Sequence, residues 1–202
     1  MTRRIVPVIW LTAAIILLSA FIHQQILFFR NSEKERFKQP PDSIPPGRDF
    51  PDDTLLILDF ETPLPGYETH QTMRFARSGN GALTIGPGLQ YSPGLHTPIL
   101  QVDSVFPFWI QVSAWFRYED PVAMNHVSLV TTGNHHGKAF RYRFTPLSKQ
   151  PRQPGKWLHL STSWLVPEPL DSSDLLQVYI WNPGNRVCFI DDLHITVFRS
   201  KP

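Results

Sequence analysis

Two segments of the chain alternate aromatic and polar side chains in a way that is typical of sugar binding. In residues 108–118 one parity is apolar, and the other holds Trp109, Gln111, Ser113, Trp115 and Arg117. A sugar packs its apolar ring face on flat aromatic side chains, and its hydroxyls need amide or guanidinium partners. Residues 175–181 repeat the pattern. The predicted ligand-binding residues are Trp109, Gln111, Trp115, Arg117, Gln177, Tyr179 and Trp181.

The alternative is that these rings pack against a loop or a partner as structural residues. If they form a platform, we expect both sets on one face. Neighbouring strands would then add Arg141, Arg143 and His159 to that face.

A carboxylate near the end of the chain interrupts an apolar pattern. In residues 187–198, Asp191 shares its parity with Phe189, Leu193, Ile195 and Val197. Side chains of one parity lie on one face of a strand. A lone carboxylate on a core-facing parity is costly unless it is paired, hydrogen-bonded or bound to a cation. The pattern therefore predicts a specific partner for Asp191.

The remaining acids, histidines and thiols do not indicate catalysis. No pair of carboxylates stands out for separate acid and base roles, and adjacent Asp191 and Asp192 should point to opposite faces of a strand. His135 and His136 lie in segment 133–137, which predicts a hairpin tip, and a solvated loop is favoured there over a metal or catalytic role. The single cysteine, Cys188, excludes an internal disulfide. We expect no enzymatic activity.

The elements that must position these residues are short strands. The chain contains 20 prolines and 6 tryptophans and shows no sustained helical period, which disfavours a helical bundle. Short apolar segments separated by Gly, Pro, Asn or Asp predict an all-β antiparallel sandwich or barrel. The segments are 55–60, 72–76, 82–85, 99–102, 108–118, 127–131, 140–144, 157–165, 175–181 and 187–198.

Three groups of residues resemble the jelly-roll family of carbohydrate-binding modules with a galactose-binding-like fold. The first is Leu58-Asp59-Phe60-Glu61, which is similar to the opening strand of these modules. The second is Ser78-Gly79-Asn80-Gly81-Ala82-Leu83, which is similar to their small-residue turn. The third, their closing strands, comprises Trp157, Leu160, residues 178–181 and residues 189–193. The resemblance spans most of residues 54–198 and implies an antiparallel jelly-roll β-sandwich with Trp157 in the core.

The resemblance also implies a structural calcium ion (Ca²⁺) that ties the first strand to the last. Carried over to this chain, Glu61 and Asp191 would be side-chain ligands, and Asp59 is a further candidate. Calcium takes six to eight oxygen ligands from carboxylates and carbonyls, so it would neutralise Asp191. The alternative is that Asp191 accepts backbone N–H bonds.

The N-terminal part predicts a membrane anchor. Residues 1–4 form a basic n-region, residues 5–29 a transmembrane signal-anchor helix, residues 30–53 a Pro-rich linker and residues 54–202 the domain. An apolar run of about 20 residues spans a bilayer as a helix. A cleaved signal peptide is the alternative, although the small-residue cleavage pattern is poor. Basic residues flank both ends of this segment, and their count favours a cytoplasmic location for the C-terminal side. The domain has the character of an exported module, so we place it on the extracytoplasmic side instead.

These observations together predict a non-catalytic, membrane-tethered glycan-binding module. We expect it as a single-pass protein of a bacterial inner membrane, with the C-terminal domain on the extracytoplasmic side of the cell envelope. The alternative is an envelope scaffold or accessory subunit that docks a partner protein, such as an enzyme of glycan synthesis. The net charge of +2 gives no indication of a nucleic-acid partner.

Overall fold

The structure, a computed structural model, describes residues 51–199. The predicted n-region, the signal-anchor helix and nearly all of the Pro-rich linker lie outside this range, so those predictions are not addressed by it. Within residues 51–199, no helix is long and apolar enough to cross a bilayer.

The described residues form ten strands, one short α-helix, α1 (Ile99–Val102), and three single-turn 3₁₀ helices, Glu68–His70, Ala123–Asn125 and Leu147–Lys149. The strands are β1 (Asp53–Leu58), β2 (Gln71–Thr72), β3 (Ala82–Ile85), β4 (Leu95–Pro98), β5 (Phe108–Arg117), β6 (Ser128–His135), β7 (Lys138–Pro146), β8 (Leu158–Val166), β9 (Leu175–Trp181) and β10 (Cys188–Phe198).

The strands pair into two antiparallel sheets. The six-stranded sheet has the order β2-β3-β10-β5-β8, and β1 also pairs with β10. The four-stranded sheet has the order β4-β9-β6-β7. The prediction of an all-β antiparallel sandwich is confirmed for this part of the chain.

The core lies between the two sheets and follows the predicted alternation. On β5, Phe108, Ile110 and Phe116 are fully buried, and on β9 Leu176, Val178 and Ile180 are fully buried. The expectation for Trp157 is wrong, because this residue precedes β8 and is only partly buried. Trp164, inside β8, is the buried tryptophan, with 1% of its surface exposed.

The predicted parity of β10 is wrong in its first half, because the strand contains a β-bulge. Asp191 pairs with Trp115 and His194 with Ser113, so three steps on β10 match two on β5. Asp192 supplies the extra residue, with φ of 49°. An inserted residue reverses the alternation. Asp191 therefore lies on the outer face with Trp115, whereas Leu193, Ile195 and Val197 point into the core.

The bulge lies where β10 changes partner. Residues 193–197 of β10 pair with β1, and residues 188–190 pair with β3 on the same edge. Between these two ladders, Asp191 and Asp192 have no strand partner among the described residues on this edge of β10. This gap between the ladders positions the carboxylates described below.

Candidate functional site

The predicted ligand-binding residues do not share one face. Trp109, Gln111, Trp115 and Arg117 lie on β5 in the six-stranded sheet, whereas Gln177, Tyr179 and Trp181 lie on β9 in the four-stranded sheet. The inner faces of the two sheets form the core, so the two outer faces point away from each other. The expected single platform is therefore wrong, and each set must be judged by itself.

Two members of the set on β5, Trp115 and Arg117, contact the segment that precedes β3. The guanidinium of Arg77 lies 4.4 Å above the ring of Trp115, and the ring of His159 packs 4.9 Å from it. Arg117 binds Glu119 at 2.8 Å and lies 4.3 Å above the ring of Phe75. Trp109 is buried, with 6% of its surface exposed. These contacts are the structural packing that the sequence left open as the alternative.

The set on β9 belongs to a larger group of rings on the outer face of the four-stranded sheet. We call this group the aromatic platform, and it consists of Tyr91, Tyr142, Phe144, Tyr179 and Trp181. Tyr91 lies 5.6 Å from Tyr179 and 6.5 Å from Trp181, and Phe144 lies 6.2 Å from Trp181, as ring centroids. Tyr91, Tyr142 and Phe144 are 52%, 43% and 41% exposed. The platform thus presents aromatic surface to solvent.

The sheet itself brings these rings together. Tyr179 and Phe144 are both in register with Val130 of β6, which lies between them in the ladder. Val130 is fully buried although it is on the outer face. The rings from β9 and β7 therefore close over the central strand and form a continuous surface.

A row of polar side chains borders the aromatic platform. Asn134 Nδ2 donates to Gln177 Oε1 at 2.7 Å, and Gln177 Nε2 lies 3.3 Å from His96 Nε2. We call Asn134, Gln177 and His96 the amide row; it crosses from β6 over β9 to β4. Each amide has two N–H donors and a carbonyl acceptor, so the row retains capacity for further hydrogen bonds to a ligand.

Two tyrosines of the aromatic platform, Tyr142 and Tyr179, have raised pKa values. Burial raises the pKa of Tyr179 above its ordinary value, and the nearby Tyr142 and Tyr91 raise it further. Burial and Tyr91 likewise raise the pKa of Tyr142. The hydroxyls of Tyr142 and Tyr179 therefore stay protonated at neutral and moderately alkaline pH and remain available as hydrogen-bond donors.

The arginines of β7 do not join this face, contrary to expectation. Arg141 and Arg143 point between the sheets, where Arg143 Nη1 donates to the carbonyl of Ser163 at 2.7 Å. Arg141 lies 5.4 Å from the ring of Trp164. Burial and the charge of Arg143 lower the pKa of Arg141 to about 10, so the side chain is still charged at neutral pH. Because the arginines point inward, Tyr142 and Phe144 point outward.

The buried Asp191 is satisfied by backbone donors. Its Oδ2 accepts the N–H of Arg77 at 2.7 Å and of Ser78 at 3.3 Å, and its Oδ1 accepts the N–H of Asp192 at 2.8 Å. Burial raises the pKa of Asp191, while these N–H donors oppose the rise. The alternative that the sequence left open thus accounts for this carboxylate.

The other two predicted calcium ligands also face N–H groups. Glu61 accepts the N–H of Asn80 at 2.8 Å and of Gly81 at 3.1 Å, and Asp59 accepts that of Glu61 at 3.1 Å. Gly79 makes this possible, because a Cβ there would lie 2.2 Å from Glu61 Oε1.

These contacts bear on the fit of a calcium ion. Asp59, Glu61 and Asp191 are absent from the groups of described residues that gather three metal-ligating atoms within 4.8 Å. N–H groups that point at a carboxylate occupy the directions a cation would use. As placed, the three carboxylates face backbone N–H groups, and the calcium ion stays a prediction.

Comparison with known proteins identifies the fold. The chain matches no protein-family model and no curated protein. It is similar to the CBM22-2 xylan-binding domain of Xyn10C from Paenibacillus barcinonensis, with a TM-score of 0.50 and 16% identity over 71% of this chain and 99% of that domain. The CBM22-1–CBM22-2 tandem of the same protein gives a TM-score of 0.54 and 15% identity over 78% of this chain and 53% of the tandem. The domain has the jelly-roll fold of these carbohydrate-binding modules. The resemblance drawn from the sequence motifs is confirmed at the level of the fold.

A cavity of the described domain lies beside the loop that follows β1. It measures about 260 Å³ and lies beside Phe60, Gln71 and Met73. Its carboxylates are Glu61 and Glu68, and Glu61 already accepts backbone N–H bonds. Glu61 therefore has a structural role beside this cavity, as the acceptor that holds the turn before β3.

Sequence reasoning missed three of the five rings of the aromatic platform, Tyr91, Tyr142 and Phe144. Tyr142 and Phe144 alternate with two arginines along β7. Charged residues normally lie on the exposed face of a strand, so the pattern predicts that the two rings point inward. Tyr91 lies in a loop and joins the face only through its bridge to Trp181. The sequence feature that could have predicted these rings is the aromatic content of β7, if the neighbouring arginines are set aside.

Proposed function

We propose that this domain is a non-catalytic glycan-binding module and that the aromatic platform with its amide row is the binding surface. The observation that carries the proposal is the combination of half-exposed rings and a hydrogen-bonded amide row on one sheet. Rings accept the apolar faces of sugar units, and amides select their hydroxyls.

The chemistry of the face favours a neutral polysaccharide. Its outward positions, read from the ladders of β4, β9, β6 and β7, carry aromatic, aliphatic, hydroxyl and amide groups and one imidazole, His96. None of these described positions carries a carboxylate, a lysine or an arginine. A strongly anionic glycan would therefore lack a countercharge. The similarity to domains described as xylan-binding supports the class of neutral β-linked chains.

Affinity electrophoresis of the full-length protein tests this proposal. We expect soluble xylan or a neutral β-glucan in the gel to retard the protein, whereas an equal mass of the polyanion heparin should not. Retardation by heparin alone, abolished by moderate salt, would contradict the proposal because it would indicate a charge-driven surface.

The alternative is that the same face docks a partner protein of the envelope. The exposed rings are compatible with that role, but the amide row favours a ligand rich in hydroxyls. If no neutral polysaccharide retards the protein and cross-linking from position 91 captures one defined protein, the docking function replaces glycan binding.

We also propose that residues 5–29 tether the domain to a bacterial inner membrane and that the domain faces the extracytoplasmic side. The apolar run and its preceding arginines support the tether. The full-length protein should fractionate with membranes and resist carbonate extraction, and protease added to spheroplasts should cleave the linker. A soluble product that begins near residue 21 would instead demonstrate a cleaved signal peptide.

A further inference from the structure

The tip of the β6–β7 hairpin contacts the loop before β9 through histidine and aspartate side chains. His136 and Gly137 form the turn, with φ of 47° and 77°. His136 Nε2 lies 3.2 Å from Asp171 Oδ2, and His135 Nδ1 lies 4.0 Å from the same oxygen. The two imidazole rings are 4.1 Å apart. One ligand atom from each of these three residues lies within 4.8 Å of the others.

We propose that His135, His136 and Asp171 form a binding site for a divalent transition-metal ion of the zinc class. Two imidazoles and one carboxylate are the donors that zinc uses, at ligand distances of about 2.0–2.2 Å. Ligand atoms of a tetrahedral ion are then about 3.3 Å apart. The observed separation of 3.2 Å between His136 Nε2 and Asp171 Oδ2 matches this value, and one nitrogen of His135 lies within 4.8 Å of both.

The donor set selects against the harder ions. Calcium and magnesium prefer shells of oxygen ligands, and this cluster supplies only one carboxylate beside two nitrogens. Imidazole suits zinc, copper and nickel. The site is therefore chemically distinct from the calcium site implied for Asp59, Glu61 and Asp191.

A buried carboxylate holds one ligand in place. Asp174 Oδ1 lies 2.6 Å from His135 Nδ1, and its side chain is fully buried. Its other oxygen accepts the N–H of Leu170 at 2.6 Å. A carboxylate that orients a metal-ligating histidine is a recurrent feature of metal sites. Asp174 is thus a positioning residue that occupies Nδ1, so His135 would present its Nε2 to the ion.

Asp171 is also held by its own loop. Its Oδ1 accepts both the N–H and the hydroxyl of Ser173 at 2.6 Å. These bonds, together with the neighbouring histidines, lower the pKa of Asp171. Oδ2 remains directed at the two imidazoles. An ion here would join the hairpin to the loop before β9, next to Asn134 of the amide row.

Zinc titration of the full-length protein, produced without a histidine tag and stripped of metal, tests the proposal. Isothermal titration calorimetry should show one zinc ion per chain, and zinc should raise the melting temperature. His136→Ala and Asp171→Asn should each weaken zinc binding at least tenfold and remove most of the thermal shift. Both residues are at the surface, so circular dichroism should show unchanged folding.

His126→Ala is the matched control, because His126 is exposed and outside the cluster. It should bind zinc as tightly as the wild type. Cobalt(II) provides a second readout, since a visible absorption band in the wild type should disappear in Asp171→Asn. Equal zinc affinity in all four proteins, or absence of binding in the wild type, would overturn the proposal. Neither outcome bears on polysaccharide retention, which is measured separately.

Discussion

Tyr91→Ala and Tyr142→Ala should each weaken binding to a neutral polysaccharide by about 10- to 100-fold. The reason is that a ring covered by a sugar unit contributes about 1.5–3 kcal/mol through buried apolar area. Both tyrosines are roughly half exposed in the free domain, so their loss should change the melting temperature little. Dissociation constants from affinity electrophoresis, with melting curves for each variant, check this expectation.

Trp115→Ala separates the two faces of the sandwich. Trp115 was predicted as a ligand residue but lies on the six-stranded sheet under Arg77. This variant should lower stability while the folded protein binds polysaccharide as the wild type does. Loss of binding in Trp115→Ala, with full binding retained in Tyr91→Ala and Tyr142→Ala, would move the site to the opposite sheet and contradict the assignment.

The sequence predicts the sandwich well because burial imposes a period of two on every strand. Residues 108–118 and 175–181 alternate cleanly, and both are strands with the predicted inward side chains. The rings of Tyr179 and Trp181 follow from the same alternation. What a period of two cannot show is which strands belong to one sheet, since pairing is decided by contacts distant in sequence. The assumption that β5 and β9 share a face failed for this reason.

Two local features also escaped the sequence pattern. The positive φ of Asp192 inserts a residue into β10 and reverses the parity of Asp191. On β7, the arginines point inward because Ser163 and Trp164 of the facing sheet supply a carbonyl and a ring. Both depend on partners from elsewhere in the chain. A rule based on neighbours in sequence therefore assigns the opposite face.

Asp191→Ala should lower the free energy of unfolding by about 2–4 kcal/mol. The substitution leaves the N–H groups of Arg77, Ser78 and Asp192 without their acceptor, and an unsatisfied buried donor costs about 1–3 kcal/mol. Asp59→Ala is the matched control. Asp59 was also predicted to bind calcium, but it is exposed and accepts one local bond, so its loss should cost less than about 1 kcal/mol. Urea unfolding of the full-length protein measures both values.

The same experiment in chelator and in millimolar calcium separates backbone bonding from the predicted ion. If backbone N–H donors satisfy Asp191, Asp191→Ala should lower the free energy of unfolding by the same amount in chelator as in calcium buffer. A wild-type protein that is stabilised by calcium, with that stabilisation absent in Asp191→Ala and the loss confined to calcium buffer, would contradict this account and assign the carboxylate to the ion.

The pH dependence gives an independent check of the same carboxylate. The folded-state pKa of Asp191 is raised, so the folded protein holds the proton more tightly than the unfolded chain. Protonation of Asp191 therefore stabilises the folded protein. This contribution is complete below the pKa of an aspartate in the unfolded chain, about 3.9, and it is lost as the pH rises through the folded-state pKa. The difference between wild type and Asp191→Ala should therefore be larger at pH 4 than at pH 7. A difference that grows as the pH rises would show that the N–H donors outweigh burial and that the folded pKa is lowered instead.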